Sequence, residues 1–393
     1  MKRIIVVLLT VLGVHFSSFC QWQQTGTVDT FAIKTLTAYG NIIFTGTDGA
    51  GIYTSSDEGN SWILKDSGFT NLRINAMAYD TSGTLYAGSK SLLLFTSVDT
   101  GNTWVLHNVG GTGNSISSIA VMGTNIFAGE AGDGVFLSTN SGASWAEKGL
   151  CCASVLSLCT DSGGHVYAGT NAGGVYRSVA PFTTWAMMNN GLPGTLPQIR
   201  ALIANGSLIV AGTAGSGIFI STDNGLNWAA ANNGLDDLNV FSLAAEGQKL
   251  FAGTESGGIF VSADQGLNWI QSNEGLSIFN VTALTAYNNF LFAGFSNGEV
   301  WKRPLAELTS VDEVSDSKDF EIYPNPVAEK LGVKINDFEN STISICSISG
   351  NLISLLKPQG PITVVEIEGY PNGIYFIQVQ KPDKIQTIKF IKY

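Results

Sequence analysis

Histidine is almost missing from this chain: His15, His107 and His165 are the only three in 393 residues. A zinc site built on several imidazoles has too little to draw on, and no metal or cofactor is expected. Any general acid or base would have to be a carboxylate or a tyrosine. Cysteine is scarce too, and Cys20, Cys151, Cys152, Cys159 and Cys346 do not make a disulfide scaffold. Cys151 or Cys152 could bridge to Cys159, or all three could be small buried hydrophobes. Charged residues are only 13% of the chain, with 20 Lys and Arg against 31 Asp and Glu, a net charge of −11. No basic cluster is present, which argues against nucleic acid as a partner. Long apolar runs are lacking as well. The one candidate, Ile4 to Val14, is too short to span a bilayer, so no transmembrane segment is expected in the mature chain.

What the chain does have is glycine, 46 residues of it, and apolar side chains at 44%. That composition suits a packed all-β body with many tight turns. Residues 1–20 read as a secretory signal peptide: Met1-Lys2-Arg3, a short apolar stretch, then small or polar residues. A lipoprotein reading would acylate Cys20, but Phe19 stands where a small residue is wanted.

Residues 21–305 are ruled by a repeat. Copies of S-x-D-x-G-x-x-W end at Trp62, Trp104, Trp145, Trp185, Trp228 and Trp269, spaced by 42, 41, 40, 43 and 41 residues. A hydrophobic pair, a small residue and a glycine precede each copy, and this marker occurs seven times, at Gly46, Gly88, Gly129, Gly169, Gly212, Gly253 and Gly294. A period near 41 with four short strands per unit predicts a seven-bladed β-propeller. The unit from Val240 to Trp269 reads as strand, turn, strand, loop, strand, hairpin and strand. The seventh unit lacks its own Trp motif, and Trp22 at the other end of the domain is predicted to supply the missing outer strand and close the ring.

The repeated turn has a physical reading. The glycine supplies a positive φ, the Asp accepts turn amides, and the Trp packs between blades. The turn residues are Ser55, Asp57, Gly59 and Trp62; Ser97, Asp99, Gly101 and Trp104; Ser138, Asn140, Gly142 and Trp145; Ser221, Asp223, Gly225 and Trp228; Ser262, Asp264, Gly266 and Trp269. They are read as structural rather than catalytic. The fourth copy, Ser178 to Trp185, has lost both Asp and Gly and must fold differently.

Residues 306–319 are polar and acidic and read as a linker. Residues 320–393 change character, with short alternating runs between Gly, Pro and Asn turns, and suggest a small β-sandwich of immunoglobulin-like type.

Two resemblances follow from these residues. The repeated hairpin resembles the Asp-box, or bacterial neuraminidase repeat, of sialidases, sortilin-type receptors, some xyloglucan hydrolases and photosystem-assembly propellers. That family includes enzymes and pure binders, so it implies the fold and leaves the activity open. Residues 320–393 resemble the type A C-terminal sorting domain of the type IX secretion system of Bacteroidetes. The resemblance rests on Tyr323-Pro324-Asn325-Pro326-Val327, Leu331, Val333, Ile343 to Ile345, Gly350, Gly373-Ile374-Tyr375 and Lys389-Phe390-Ile391-Lys392. It implies the secretion machinery as partner, passage through the periplasm, and a product secreted or held on the outer cell surface.

Two functions stay open: a non-enzymatic platform for an extracellular glycan or protein, and a glycoside hydrolase of the sialidase or xyloglucanase kind. Sialidase chemistry needs an arginine cluster on the substrate carboxylate, and the propeller holds only Arg73, Arg177, Arg200 and Arg303. Some hydrolases need only two carboxylates about 5–10 Å apart. Both readings look to the face opposite the repeated hairpins, where the loops between second and third strands carry Asp48, Glu130, Asp133, Asn171, Glu255 and Asn297. Glu130, Asp133 and Glu255 are the candidate catalytic carboxylates, and the full set is the candidate binding rim. Short, similar loops leave little room for a deep cleft, which favours binding.

Overall fold

Each repeat opens on an apolar run that pairs with the glycine-containing strand behind it. In the computed structural model, which describes residues 21–112, 115–151, 153–194, 197–308, 320–335, 338–347, 352–381 and 385–393, these pairs are the inner halves of blades. The expected leader, Cys20, Cys152, Gly350 and most of the expected linker lie outside the described residues.

Among the described residues, Trp22–Asp312 forms one compact unit holding seven four-stranded antiparallel sheets. Blade 1 is Ile33–Tyr39, Ile42–Thr47, Ile52–Ser55 and Ile63–Leu64. Blades 2 to 7 begin at Ile74, Ile116, Val155, Ile199, Val240 and Val281. The first strand of every blade touches the first strand of the next, and that of blade 7 touches that of blade 1, so the sheets form a closed ring.

The repeated glycine has a definite reason. A Cβ on Gly46 would lie 2.8 Å from the Ile74 side chain, on Gly129 2.6 Å from Val155, and on Gly294 2.3 Å from Ile33. In each case the intruder is the Ile or Val that opens the following blade. The glycine therefore makes way for the neighbour's side chain, and β-branched residues fill the space between blades.

The ring closes through the N-terminal strand. Gln23 pairs with Lys302 and Gln24 with Trp301, completing blade 7. Trp22 is 1% exposed; its indole donates to the Ser272 carbonyl at 2.8 Å and its amide to the Glu274 carbonyl at 2.7 Å. Trp269 makes the same two bonds one blade earlier, to Ala231 and Asn233, and Trp228 makes them to Met188 and Asn190.

Five of the hairpins between third and fourth strands share one network. In the first, the Ser55 hydroxyl accepts from Gly59 N–H at 2.7 Å and donates to Asp57 Oδ1 at 2.8 Å. Asp57 Oδ1 accepts Ser61 N–H at 2.9 Å and Oδ2 accepts the Ser61 hydroxyl at 2.6 Å. Asp99, Asp223 and Asp264 repeat the pattern with Thr103, Asn227 and Asn268, and Asn140 repeats it with Ser144. Bonds from Ser61 hold Asp57 at about 2, and bonds from Thr103 hold Asp99 at about 2. Asp223 is lowered by Asn227, and Asp264 is lowered by Asn268 against the opposing effect of burial.

A folded-state pKa below the unfolded value stabilises above about pH 4, and that stabilisation disappears as pH falls through the folded value near 2. Changing Asp57, Asp99, Asp223 and Asp264 together to Asn should therefore shrink the fall in melting temperature between about pH 4 and pH 2. Asn140 already does the work of an Asp in blade 3, so the variant should fold. Identical acid melting curves for variant and wild type would show that these turns do not set the acid response.

The fourth hairpin follows other rules. Phe182 sits where the others carry glycine, at φ +60°, and is 5% exposed. Its ring meets Phe127 of blade 3 edge-on at 4.9 Å. Ser178 Oγ donates to the Thr184 carbonyl at 2.7 Å in place of an Asp partner. An aromatic contact between blades thus replaces the polar staple and offsets the strained backbone.

In the second unit, a three-stranded sheet (Phe320–Tyr323, Lys330–Ile335, Ile362–Glu366) and a four-stranded sheet (Leu352–Leu356, Thr342–Ser347, Gly373–Gln380, Ile385–Lys392) contribute to one core that includes Phe320, Val333, Ile345, Ile377 and Phe390. Cys151 is exposed and Cys159 is buried, both as free thiols, and burial pushes the Cys159 thiol up.

Candidate functional site

Antiparallel order fixes which loops share a face. The loops between second and third strands lie beside the connections that enter the following blade, and the hairpins described above lie at the other end. Main-chain bonds stitch this loop face together. Gly51 donates to the Leu72 carbonyl at 2.9 Å, Gly134 to Ala153 at 3.1 Å, Gly174 to Pro197 at 3.0 Å, Gly217 to Leu238 at 2.9 Å and Gly258 to Phe279 at 3.1 Å. Each of these glycines has a positive φ, which lets the loop turn within four residues of the strand end.

The rim residues expected from the sequence differ in state. Asp48 is half-buried between Lys34 at 3.7 Å and Arg73 at 3.6 Å. Asn171 is exposed and its Oδ1 accepts from Gln198 Nε2. Glu255 is exposed, and its backbone amide donates to the Asn239 carbonyl at 3.0 Å. Asn297 Oδ1 accepts its own loop's Glu299 N–H at 3.1 Å. Asp133 is half-buried and accepts from the Thr112 amide.

Glu130 is a correction. Expected on the rim, it is fully buried, and neither carboxylate oxygen has a hydrogen-bond partner. Burial, then the charge of Asp133, push it up to about 7. Of the candidate carboxylates only Glu130 and Asp133 come together, and a buried Glu130 offers no open face to a sugar. Glu255 lies three blades away.

The amide-rich connections also serve the fold. Asn189, Asn232 and Asn273 each accept the amide that opens the third strand of their own blade and donate to that blade's loop carbonyl. Phe69 packs against Phe95 and Trp104, and Phe295 is fully buried.

Sequence reasoning placed Phe279 near this face but missed the apolar series it belongs to. The residue two places before the first strand is Phe31 in blade 1, Leu72 in blade 2, Leu238 in blade 6 and Phe279 in blade 7. These four are 47%, 37%, 37% and 42% exposed and sit on four consecutive blades of the ring. Their carbonyls are held by loop glycines at Leu72, Leu238 and Phe279, so the backbone is pinned while the side chain stays out. Phe31 lies over Gly49, where a Cβ would come within 2.8 Å of its ring. Beyond this arc, the Arg200 guanidinium stacks on Phe241 at 4.6 Å with Nη1 unpartnered. The signal was a large apolar residue, Leu or Phe, at a fixed offset from the first strand of four blades, visible once strand starts are known.

Comparison with known proteins bears on both units. Residues 321–393 match the secretion system C-terminal sorting domain, and residues 182–303 match the DUF6242 beta propeller domain. The chain is an exported β-propeller. Its sorting tail directs it to the cell surface or into the medium. No curated protein matches. Among solved structures, YCF48 bound to D1 peptide is similar at 15% identity and TM-score 0.60, covering 72% of this chain and 96% of that one. The WD40 propeller of Doa1 is similar at 12% identity and TM-score 0.60, covering 74% and 100%. The GH74 enzyme of Niastella koreensis is similar at 18% identity and TM-score 0.53, covering 74% of this chain and 44% of that one. At such identities these likenesses show the fold alone. Among the described residues no helix is long and apolar enough to cross a membrane, and no group of three or more His, Cys, Asp or Glu is placed to hold a metal.

Proposed function

We propose that this exported propeller is a non-enzymatic binding platform and that it takes an apolar stretch of a partner protein on its loop face. The arc of Leu238, Phe279, Phe31 and Leu72 carries the reading. Exposed apolar side chains on a pinned backbone present a surface that loses little entropy on binding. Two phenylalanines flanked by leucines suit peptide side chains better than sugar rings, which favour aromatic faces. Around the arc, Lys34, Asp48 and Arg73 supply a polar border of the kind that surrounds protein contacts. A structural neighbour, YCF48, is described with a bound peptide, which agrees with this use of the fold. The buried state of Glu130 and the separation of Glu255 from Asp133 speak against the hydrolase reading.

The test is a peptide array probed with the full mature chain, beside a glycan array and chromogenic sialosides and β-glucans. Apolar-rich peptides should bind, and changing Phe31 and Phe279 together to Ala should weaken binding at least about tenfold with the melting temperature unchanged. Glycan binding that survives this double change would sink the proposal. So would turnover that is lost in Glu255→Ala.

A further inference from the structure

Position for position, Glu130 is out of place. Its equivalents at the end of the second strand are Thr47, Ser89, Thr170, Thr213, Thr254 and Phe295. The five hydroxyl residues each donate across their own loop, as Thr47 does to the Gly51 carbonyl at 3.0 Å and Thr254 to Gly258 at 3.0 Å. In blade 3 a carboxyl replaces that hydroxyl, is fully buried, and has both oxygens unpartnered. Such a group costs about 1–3 kcal/mol or more relative to a satisfied one. A Thr would have spared this cost, so the orphaned oxygens call for a partner.

The surroundings say what kind. Glu130 Oε2 and Asp133 Oδ2 face one space: a Cβ on Gly111 would lie 2.5 Å from the first and 3.0 Å from the second. Gly111 has a positive φ and no side chain, which leaves this space open, and the Phe136 ring borders it, 3.1 Å from the same Cβ position. Asp133 is the one charged side chain that perturbs Glu130. Asp133 also accepts the Thr112 amide and, at 3.2 Å, the Thr112 hydroxyl, which ties the incoming connection to the blade 3 loop.

We propose that Glu130 and Asp133 form a calcium-type cation site beneath Gly111. A hard divalent cation would take oxygens from both carboxylates, balance their two charges, and draw its remaining ligands from water and loop carbonyls. A flexible glycine cover suits Ca²⁺, which tolerates irregular coordination, better than Mg²⁺, which demands a near-ideal octahedron. The cation would pin the connection between blades 2 and 3 onto the loop face, outside the cell where Ca²⁺ is abundant. The inference is independent of which ligand the platform takes.

The experiment is thermal melting of the full mature chain with CaCl₂ or MgCl₂ at constant ionic strength. With a few millimolar Ca²⁺, a site of sub-millimolar affinity should raise the melting temperature by about 3 °C, and Mg²⁺ should do markedly less. Glu130→Thr restores the residue of the other blades; it should fold well and lose the Ca²⁺ response. Asp133→Asn keeps an acceptor for Thr112 and should lose the response too. Calorimetry should give one Ca²⁺ per wild-type chain. A wild-type protein unmoved by about 10 mM Ca²⁺, or variants that respond as wild type does, would overturn the proposal.

Discussion

Trp22→Ala is expected to lower the melting temperature of the propeller by about 10 °C or more. Truncating a buried Trp costs about 3–5 kcal/mol, and each kcal/mol shifts a unit of this size by about 2–4 °C. Trp22 is 1% exposed in the core shared by blades 6 and 7, with Phe251, Ile259, Leu291 and Leu305 around it. Its loss would also strand the Ser272 carbonyl, whose indole donor comes from a residue 250 positions away. The effect should exceed that of the same change in any exposed residue of the strand. Gln24→Ala, which removes an exposed side chain and keeps the pairing with Trp301, is the control and should stay within about 0.5 kcal/mol of wild type. Circular dichroism melts of the mature chain decide it. Coincident curves for Trp22→Ala and wild type would show that the N-terminal strand decorates a ring already closed by other contacts.

That Trp22 belonged to the last blade was legible because a spacing rule held seven times where a motif held six. Strand order, the place of the second-strand glycines and the turn role of Asp57, Asp99, Asp223 and Asp264 were legible for the same reason: each is a local rule repeated at a fixed period. The physical cause of the glycines was read less well. The intruder is the Ile or Val of the next blade, a contact about 30 residues downstream that no single repeat displays. Glu130 was legible as a departure and misread in its setting. It falls in a loop by sequence, yet it is the last residue of a buried strand, and burial follows from the register with Ile116 and Gly134. Phe182 shows the opposite case. The loss of Gly was visible, but that a Phe could hold φ +60° by packing on Phe127 needed the neighbouring blade in place. Phe279 was placed near this face by itself, but the rim as a series was not seen, because its members are two different residue types at one offset, diluted by Ala153 and Pro197 in blades 4 and 5.

Deleting Lys389 to Tyr393 is expected to abolish export while leaving the propeller folded. The first four of these residues are the end of the last strand of the sorting unit, and Tyr393 follows it. Phe390 is fully buried and stacks on Tyr375 at 5.4 Å. The Tyr-Pro-Asn-Pro-Val segment closes over the same strand: Asn325 Oδ1 accepts Ile391 N–H at 3.0 Å, Asn325 Nδ2 donates to the Lys389 carbonyl at 2.9 Å, and Val327 N–H donates to Ile391 at 2.8 Å. The two ends of the sorting unit are thus one structure, and the deletion removes a core residue and the partner of that segment together. Among the described residues the propeller's hydrophobic clusters are built from residues between Trp22 and Leu308, so its melting temperature should not move. Asn325→Ala is the graded version. It keeps Phe390 and removes two bonds, worth about 1–3 kcal/mol together, so export should fall without vanishing. Fractionation of cells into periplasm, surface and medium reads both. Full export of the deletion variant would mean that the folded sorting unit is not what the secretion machinery recognises, and that a shorter linear signal within residues 320–388 suffices.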